Sequence, residues 1–215
     1  MYCWGKGGRV GDGTSDDRTS PVRIGDGNDW SALSSSGAHT CGLRGAALYC
    51  WGVGGRFGGG GASEVAPIAI DGTWSEVDAG GLHTCGRREG ALWCAGENGS
   101  GEVGDGTIDA RPVMVQIGVA TDWTEVATGA AHSCGRRGGA LYCWGSSDAL
   151  RTSDDQPSPL AIANVDWAAV SAGGAHTCAL RGQRLYCWGD NSAGQLGDGT
   201  INARAVPTLV SDWPR

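Results

Sequence analysis

The side chains best equipped for chemistry in this chain are nine cysteines and four histidines. They follow one pattern. His-Thr-Cys or His-Ser-Cys stands at residues 39–41, 83–85, 132–134 and 176–178, and Tyr/Trp-Cys-Trp/Ala-Gly stands at 2–5, 49–52, 93–96, 142–145 and 186–189. Eight cysteines thereby form four couples, each enclosing eight residues: Cys41/Cys50, Cys85/Cys94, Cys134/Cys143 and Cys178/Cys187. Thiol and imidazole at these spacings admit three chemistries. His39, Cys41 and Cys50 would share one strand face, since residues two apart point the same way, and three such soft ligands could hold zinc. That site would need a fourth ligand or a water, and no acid recurs beside the trio. A reactive thiol is the second chemistry. The third is oxidation to structural disulfides, which four identical couples favour.

The turn inside each couple supports the disulfide. Its two central residues are Gly45-Ala46, Glu89-Gly90, Gly138-Gly139 and Gly182-Gln183, and each contains the glycine that a two-residue hairpin turn wants. Counting outward from the first turn sets Arg44 against Ala47, Leu43 against Leu48, Gly42 against Tyr49 and Cys41 against Cys50. The cysteines then form a non-hydrogen-bonded cross-strand pair with Cα atoms about 4.5 Å apart, inside the roughly 4.4–6.8 Å a disulfide spans. Each staple is worth about 2–3 kcal/mol at most, because the hairpin is already local. Cys3 is left unpaired. His39, His83, His132 and His176 are read as structural repeat residues that pack between strands and bond to backbone, so no histidine remains free to act as a catalytic base.

Other chemistry is sparse. Asp12, Asp105 and Asp198 recur in Gly-Asp-Gly-Thr. They could be cation ligands, but a turn in which Asp bonds nearby backbone and Gly supplies positive φ explains them better. Arg18, Arg111 and Arg204 follow at a fixed offset, solvated or paired with the loop aspartate. The sequence holds neither a Gly-x-x-x-x-Gly-Lys-Ser/Thr loop nor a Gly-x-Ser-x-Gly elbow. No catalytic, cofactor-binding or metal-binding residue is assigned.

The elements that must position these residues are short strands. Glycine supplies 40 of 215 residues, more than twice its usual share. Successive His-x-Cys cysteines lie 44, 49 and 44 residues apart, a period that suits a four-stranded propeller blade. Trp30, Trp74, Trp123, Trp167 and Trp213 mark a third recurring point. In the stretch 141–184, strands are expected at 141–145, 159–163, 167–170 and 175–180, with a polar loop after the first. A helical repeat fails, because glycine interrupts every candidate segment and no 3.6-residue apolar stripe exists. The fold class is therefore all-β: a single array over 1–215 of four-stranded antiparallel blades, four full repeats and a partial fifth, in units of approximately 1–47, 48–91, 92–140, 141–184 and 185–215. Two loops depart from the pattern, Phe57–Gly61 and Ser146–Asp155, and are the places to look for altered shape or function. Cys3 has no partner strand and the sequence stops at Asp212-Trp213-Pro214-Arg215, where another such strand is due. The expectation is a piece of a longer propeller or a truncated gene model, and whether an export signal precedes Met1 is not written in the sequence; a five-bladed ring with one incomplete blade is the alternative.

The run Leu185-Tyr-Cys-Trp-Gly-Asp-Asn-Ser-Ala-Gly-Gln-Leu-Gly-Asp-Gly-Thr200, preceded by Ala172-Gly-Gly-Ala-His-Thr-Cys-Ala-Leu180, resembles the repeat of the regulator of chromosome condensation family. The resemblance extends along the whole chain, and the paired cysteines are similar to the family's bacterial branch. It implies a β-propeller, usually of seven blades. It also implies a choice of functions. Some members of this fold only bind proteins, a secreted β-lactamase inhibitor among them. The founding member is a guanine-nucleotide exchange factor for the GTPase Ran. A plant ultraviolet-B receptor uses tryptophans in Gly-Trp-Arg-His-Thr motifs, where this chain reads Gly81-Leu-His-Thr84 and Ala130-Ala-His-Ser133, so that function is set aside.

Net charge decides further. At −7, with one lysine and scattered arginines, the chain lacks the basic stripe of a nucleic-acid binder. No apolar run of membrane-spanning length occurs. The expectation is a non-catalytic protein-binding or scaffold propeller, without cofactor, placed outside the cytoplasm: extracellular, periplasmic or at the cell surface. The alternative is a cytoplasmic exchange factor or regulator for a small GTPase. The partner is a protein whose identity the sequence does not carry.

Overall fold

Glycine-bounded runs of β-branched and aromatic residues cannot sustain helices, and they form eighteen strands in the computed structural model, which describes residues 1–163 and 165–210. Trp213 and the rest of 211–215 lie outside the described residues. The first two strands, β1 (Tyr2–Gly5) and β2 (Arg18–Arg23), make a two-stranded antiparallel sheet. Four four-stranded antiparallel sheets follow. The first contains β3 (Trp30–Ser35), β4 (His39–Arg44), β5 (Ala47–Gly52) and β6 (Glu64–Ile70), in that order. The second contains β7 (Trp74–Ala79), β8 (His83–Arg88), β9 (Ala91–Gly96) and β10 (Arg111–Gln116). The third contains β11 (Trp123–Thr128), β12 (His132–Arg137), β13 (Ala140–Gly145) and β14 (Gln156–Ala163). The fourth contains β15 (Ala169–Ala172), β16 (His176–Arg181), β17 (Arg184–Gly189) and β18 (Arg204–Leu209).

The four strands expected within 141–184 all form, but they belong to two sheets. The segments 140–145 and 156–163 close the third sheet, whereas 169–172 and 176–181 open the fourth. A repeat can be cut at any phase, and the sheet phase begins at the strand headed by the recurring tryptophan. Among the described residues the two-stranded sheet is β1 with β2, and strands 184–189 and 204–209 fall in the fourth sheet. The polar loop after β13 holds one short helix, α1 (Ser147–Leu150), which strand reasoning did not anticipate.

The core is a series of equivalent junctions, one between each sheet and the next. Leu43, Leu48, Phe57 and Ile70 of the first sheet meet Trp74 and Val77 of the second. Leu92, Val103 and Ile117 of the second meet Trp123 and Val126 of the third. Leu141 and Leu150 of the third meet Trp167 and Val170 of the fourth. The loops after β1, β5, β9, β13 and β17 each bury one apolar residue, Val10, Phe57, Val103, Leu150 and Leu196, and Phe57, Val103 and Leu150 join these junctions. The two aberrant loops keep that plug. Phe57 precedes the glycine run, and α1 delivers Leu150. The largest fully buried side chains are Trp51, Trp144 and Trp188. Trp144 also donates its indole N–H to the Glu102 carbonyl at 2.8 Å. Trp144→Ala should therefore cost about 3–5 kcal/mol, read as a lower denaturant midpoint with an unchanged m-value.

Candidate binding surface

The second and third strands of each four-stranded sheet carry the cysteines, and the hairpin register sets them face to face. Cys41 pairs with Cys50, Cys85 with Cys94, Cys134 with Cys143 and Cys178 with Cys187. All four couples are disulfides, with Cα–Cα distances of 4.1, 4.1, 4.0 and 4.1 Å. The turns follow from the glycines. Glu89-Gly90 and Gly138-Gly139 have positive φ at both central residues, the type I′ pattern, while Gly45 and Gly182 have it at the first position alone, as type II′ requires. With the sulfurs bound to each other, the zinc reading of His39, Cys41 and Cys50 loses its thiolates.

The histidines differ from expectation in their partner. They reach a hydroxyl of the following sheet instead of backbone. His39 Nε2 lies 2.6 Å from Thr84 Oγ1, His83 Nε2 lies 2.7 Å from Ser133 Oγ, and His132 Nε2 lies 2.8 Å from Thr177 Oγ1. Thr84 Oγ1 donates to the Arg56 carbonyl at 2.8 Å and Ser133 Oγ to the Glu102 carbonyl at 3.0 Å. With their hydroxyl hydrogens spent, Thr84 and Ser133 must accept from an Nε2–H, so His39 and His83 carry a proton on Nε2. Burial pushes their pKa down, to about 4 for His39, about 3 for His83 and about 4 for His132. The ring sits so close to the preceding turn that a Cβ on Gly129 would collide with His132 Cε1. In the first sheet Ser36 replaces that glycine, and its hydroxyl lies 3.2 Å from His39 Nδ1. His176 is only half-buried.

The loop aspartates are turn residues paired with arginine. Asp12, Asp105 and Asp198 each accept from the backbone N–H two residues on, at 3.1, 3.0 and 3.0 Å. Arg18, Arg111 and Arg204 close on them, with Arg204 Nε 2.6 Å from Asp198. Hydrogen bonds from Thr200 and then Arg204 hold the Asp198 carboxyl at about 2. A second set of pairs was not anticipated. Glu76 binds Arg87 and Glu125 binds Arg136. Arg87 also donates to the Trp123 carbonyl at 2.8 Å, tying the second sheet to the third. Sheets one and four carry Ala32 with Leu43 and Ala169 with Leu180 at these positions, so spacing alone could not single the pairs out.

Cys3 sits on β1, the edge strand of the two-stranded sheet. β1 pairs only with β2 among the described residues, and Cys3 opposes Val22 as Cys50 opposes Ile68. It is a free, half-buried cysteine, and burial pushes its thiol pKa up. Beside it runs a groove of about 390 Å³ lined by Cys3, Trp4, Val10, Leu33, Ser36 and Thr40, among others. Leu33 is 51% exposed, whereas Val77, at the same position one sheet later, is 8% exposed. Trp4 is 62% exposed, whereas its counterparts Trp51, Trp144 and Trp188 are buried. Lys6 and Arg9 stand at the rim.

Comparison with known proteins fits this geometry. Residues 167–195 and 183–214 match two models of the regulator of chromosome condensation (RCC1) repeat. Over 167–214 the chain carries RCC1-type repeats. Its four hairpin disulfides fit the cysteine-paired form of that repeat. Prp20p of Saccharomyces cerevisiae, described for its binding to Gsp1p and histones, superposes with a TM-score of 0.85 at 18% identity, over 98% of this chain and 59% of that one. Human WBSCR16 gives 0.75 at 19% identity, over 89% of this chain and 56% of that one. The receptor-kinase ectodomain of CR4 from Physcomitrella patens gives 0.52 at 24% identity, over 75% and 41%. No curated protein sequence matches the chain. The RCC1-type array thus spans less than two thirds of each of these structures, and what it shares with them is the β-propeller fold built of four-stranded blades. No helix among the described residues is long and apolar enough to cross a membrane.

Proposed function

We propose that this chain is a non-catalytic protein-binding or scaffold propeller, a single repeat array over 1–215 forming part of a seven-bladed ring and working outside the cytoplasm. The observation that carries the reading is the array of four-stranded blades itself, which superposes over 98% of this chain on Prp20p, a protein described for its binding to Gsp1p and histones. Four disulfides support an oxidising compartment.

Passing the source organism's envelope proteins over the immobilised oxidised chain tests it. A protein should be retained, and an excess of the soluble oxidised chain should lower that retention by at least about tenfold, equivalent to about 1.4 kcal/mol. No retained protein, or retention that the soluble chain does not compete away, would remove the binding reading. The second reading, a regulator or exchange factor for a small GTPase, is favoured by the extent of the superposition on Prp20p. Acceleration of nucleotide release from small GTPases by the purified chain would establish it in place of the first.

A further inference from the structure

Three departures from the repeat fall at one place, the junction between the first and second sheets. The first is in the loop Phe57–Gly61. Counting from the buried Phe57 and Val103, Gly59 stands where the next loop has Asp105, the partner of Arg111. The second is in β9. Trp51, Trp144 and Trp188 follow the third-strand cysteine in the other sheets, but Ala95 follows Cys94. The loop glycines Gly11 and Gly104 face the Trp51 and Trp144 indoles, whereas Gly58 faces Met114 and Ala95. The third precedes the recurring tryptophan. Asp29 and Asp122 stand there and pair with Arg44 and Arg137 at 2.9 and 2.7 Å. The second sheet has Thr73 instead, and Arg88, at the same strand position as Arg44 and Arg137, pairs with no carboxylate among the described residues.

The result is a groove of about 420 Å³ lined by Ile68, Ile70, Trp93, Val113 and Met114, with Arg88 as its cation. The Arg88 guanidinium lies 4.3 Å from the centroid of the Trp93 ring and 6.0 Å from that of Trp74. A face-stacked guanidinium keeps its in-plane N–H donors for a further partner. Nη1 is spent on the Asp71 carbonyl at 3.4 Å, and Nε and Nη2 are not engaged by the described residues. Val113 is 52% exposed. In a chain of net charge −7, this is an unneutralised cation set in apolar surface. Its complement is a carboxylate with aliphatic neighbours, because a guanidinium fork fits a carboxylate and the flanking surface gains by being covered. Asp71 also lines the groove, so a run of acids would be repelled and a single one fits. The matching groove between the second and third sheets offers no such cation, since Asp122 neutralises Arg137 there.

We propose that the groove between the first and second sheets binds an extended segment of a partner protein in which one glutamate or aspartate is flanked by aliphatic residues. The carboxylate takes the free N–H donors of Arg88, and the aliphatic side chains cover Val113 and Met114. This deepens the binding reading above and rests on it.

The test applies the whole oxidised chain to an array of peptides Ser-X-X-Glu-X-X-Ser, in which X is Leu, Val or Ile, and to the same array with glutamine in place of glutamate. Retention on the best glutamate peptides should exceed that on their glutamine counterparts by at least about tenfold. Arg88→Gln should abolish the difference. Thr73→Asp should shrink it as well, by giving Arg88 the carboxylate that Asp29 and Asp122 give Arg44 and Arg137. Thr73 is exposed, so this second variant keeps the test valid if loss of Arg88 from the Trp93 face disturbs folding. Equal retention on the two arrays would overturn the inference, as would a preference for glutamate that either variant keeps in full. If the arrays show no preference while an envelope protein is still retained and competed away by the soluble chain, only this inference falls. If neither holds, the binding reading falls with it.

Discussion

Reduction of the four hairpin disulfides is expected to unfold the chain at ambient temperature. Each bridge closes a loop with a sequence separation of 9, for which chain entropy gives up to about 3 kcal/mol. Four together approach about 10 kcal/mol, as much as the whole net stability of an ordinary domain. The bridges also lie in the apolar layer between sheets, where Cys41, Cys50, Cys85, Cys94, Cys134 and Cys143 are fully buried. Reduction therefore leaves buried thiols that no longer pin the register. Denaturant titration with and without a strong thiol reductant checks this, and an unchanged midpoint would show that the sheets hold by packing alone. Replacing one couple, as in Cys134→Ala with Cys143→Ala, should cost about a quarter as much.

Acidification is expected to have the second-largest effect. His39, His83 and His132 are held neutral, with pKa values of about 4, 3 and 4 against the ordinary 6.5. The unfolded chain binds three protons at these positions as pH drops below 6.5, and the folded chain does not until the lower values are reached. Stability contributed by these rings is thus fully present above pH 6.5 and is lost on the way down to pH 4, at roughly 3 kcal/mol for each ring. The paired carboxylates of Asp12, Asp105 and Asp198 are also held below their ordinary value, but they titrate below pH 4. Between pH 6.5 and 4 the three histidines therefore set the direction, and the Glu102 carboxyl, pushed up by burial, works against them. Unfolding midpoints across that window should fall steeply for the native chain and less steeply for His83→Gln. A flat profile would mean that the rings are protonated in the fold.

The legible part of this molecule was what repeats locally. The glycine at each turn centre and the eight-residue spacing determined the cysteine register, because a two-residue turn leaves one pairing that puts Cys41 opposite Cys50. The same glycines in Gly-Asp-Gly-Thr announced the aspartate turns. The phase of the sheets was not legible, because pairing between strands 176–181 and 184–189 reads the same wherever a unit is said to start. The histidine partners were also hidden. Thr84 stands 45 residues from His39 and Ser133 stands 50 from His83, one repeat away and across a sheet junction. The repeat length alone, taken as a contact rule, would have suggested them. Glu76–Arg87 and the exposure of Leu33 were not readable, since both depend on which neighbouring sheet is present.

Every disulfide lies inside a single sheet, and no covalent cross-link joins one sheet to the next. The site of a protease cut therefore matters more than its number. A cut between Gly138 and Gly139 leaves both ends tethered through Cys134 and Cys143. A cut in the connection between Gln116 and Trp123, where Val119 is almost fully exposed, produces two pieces held by non-covalent contacts alone: the apolar layer and hydrogen bonds such as His83–Ser133, Trp144–Glu102 and Arg87–Trp123. Clipping at the hairpins would leave the covalent tether in place, and clipping between the sheets would remove it.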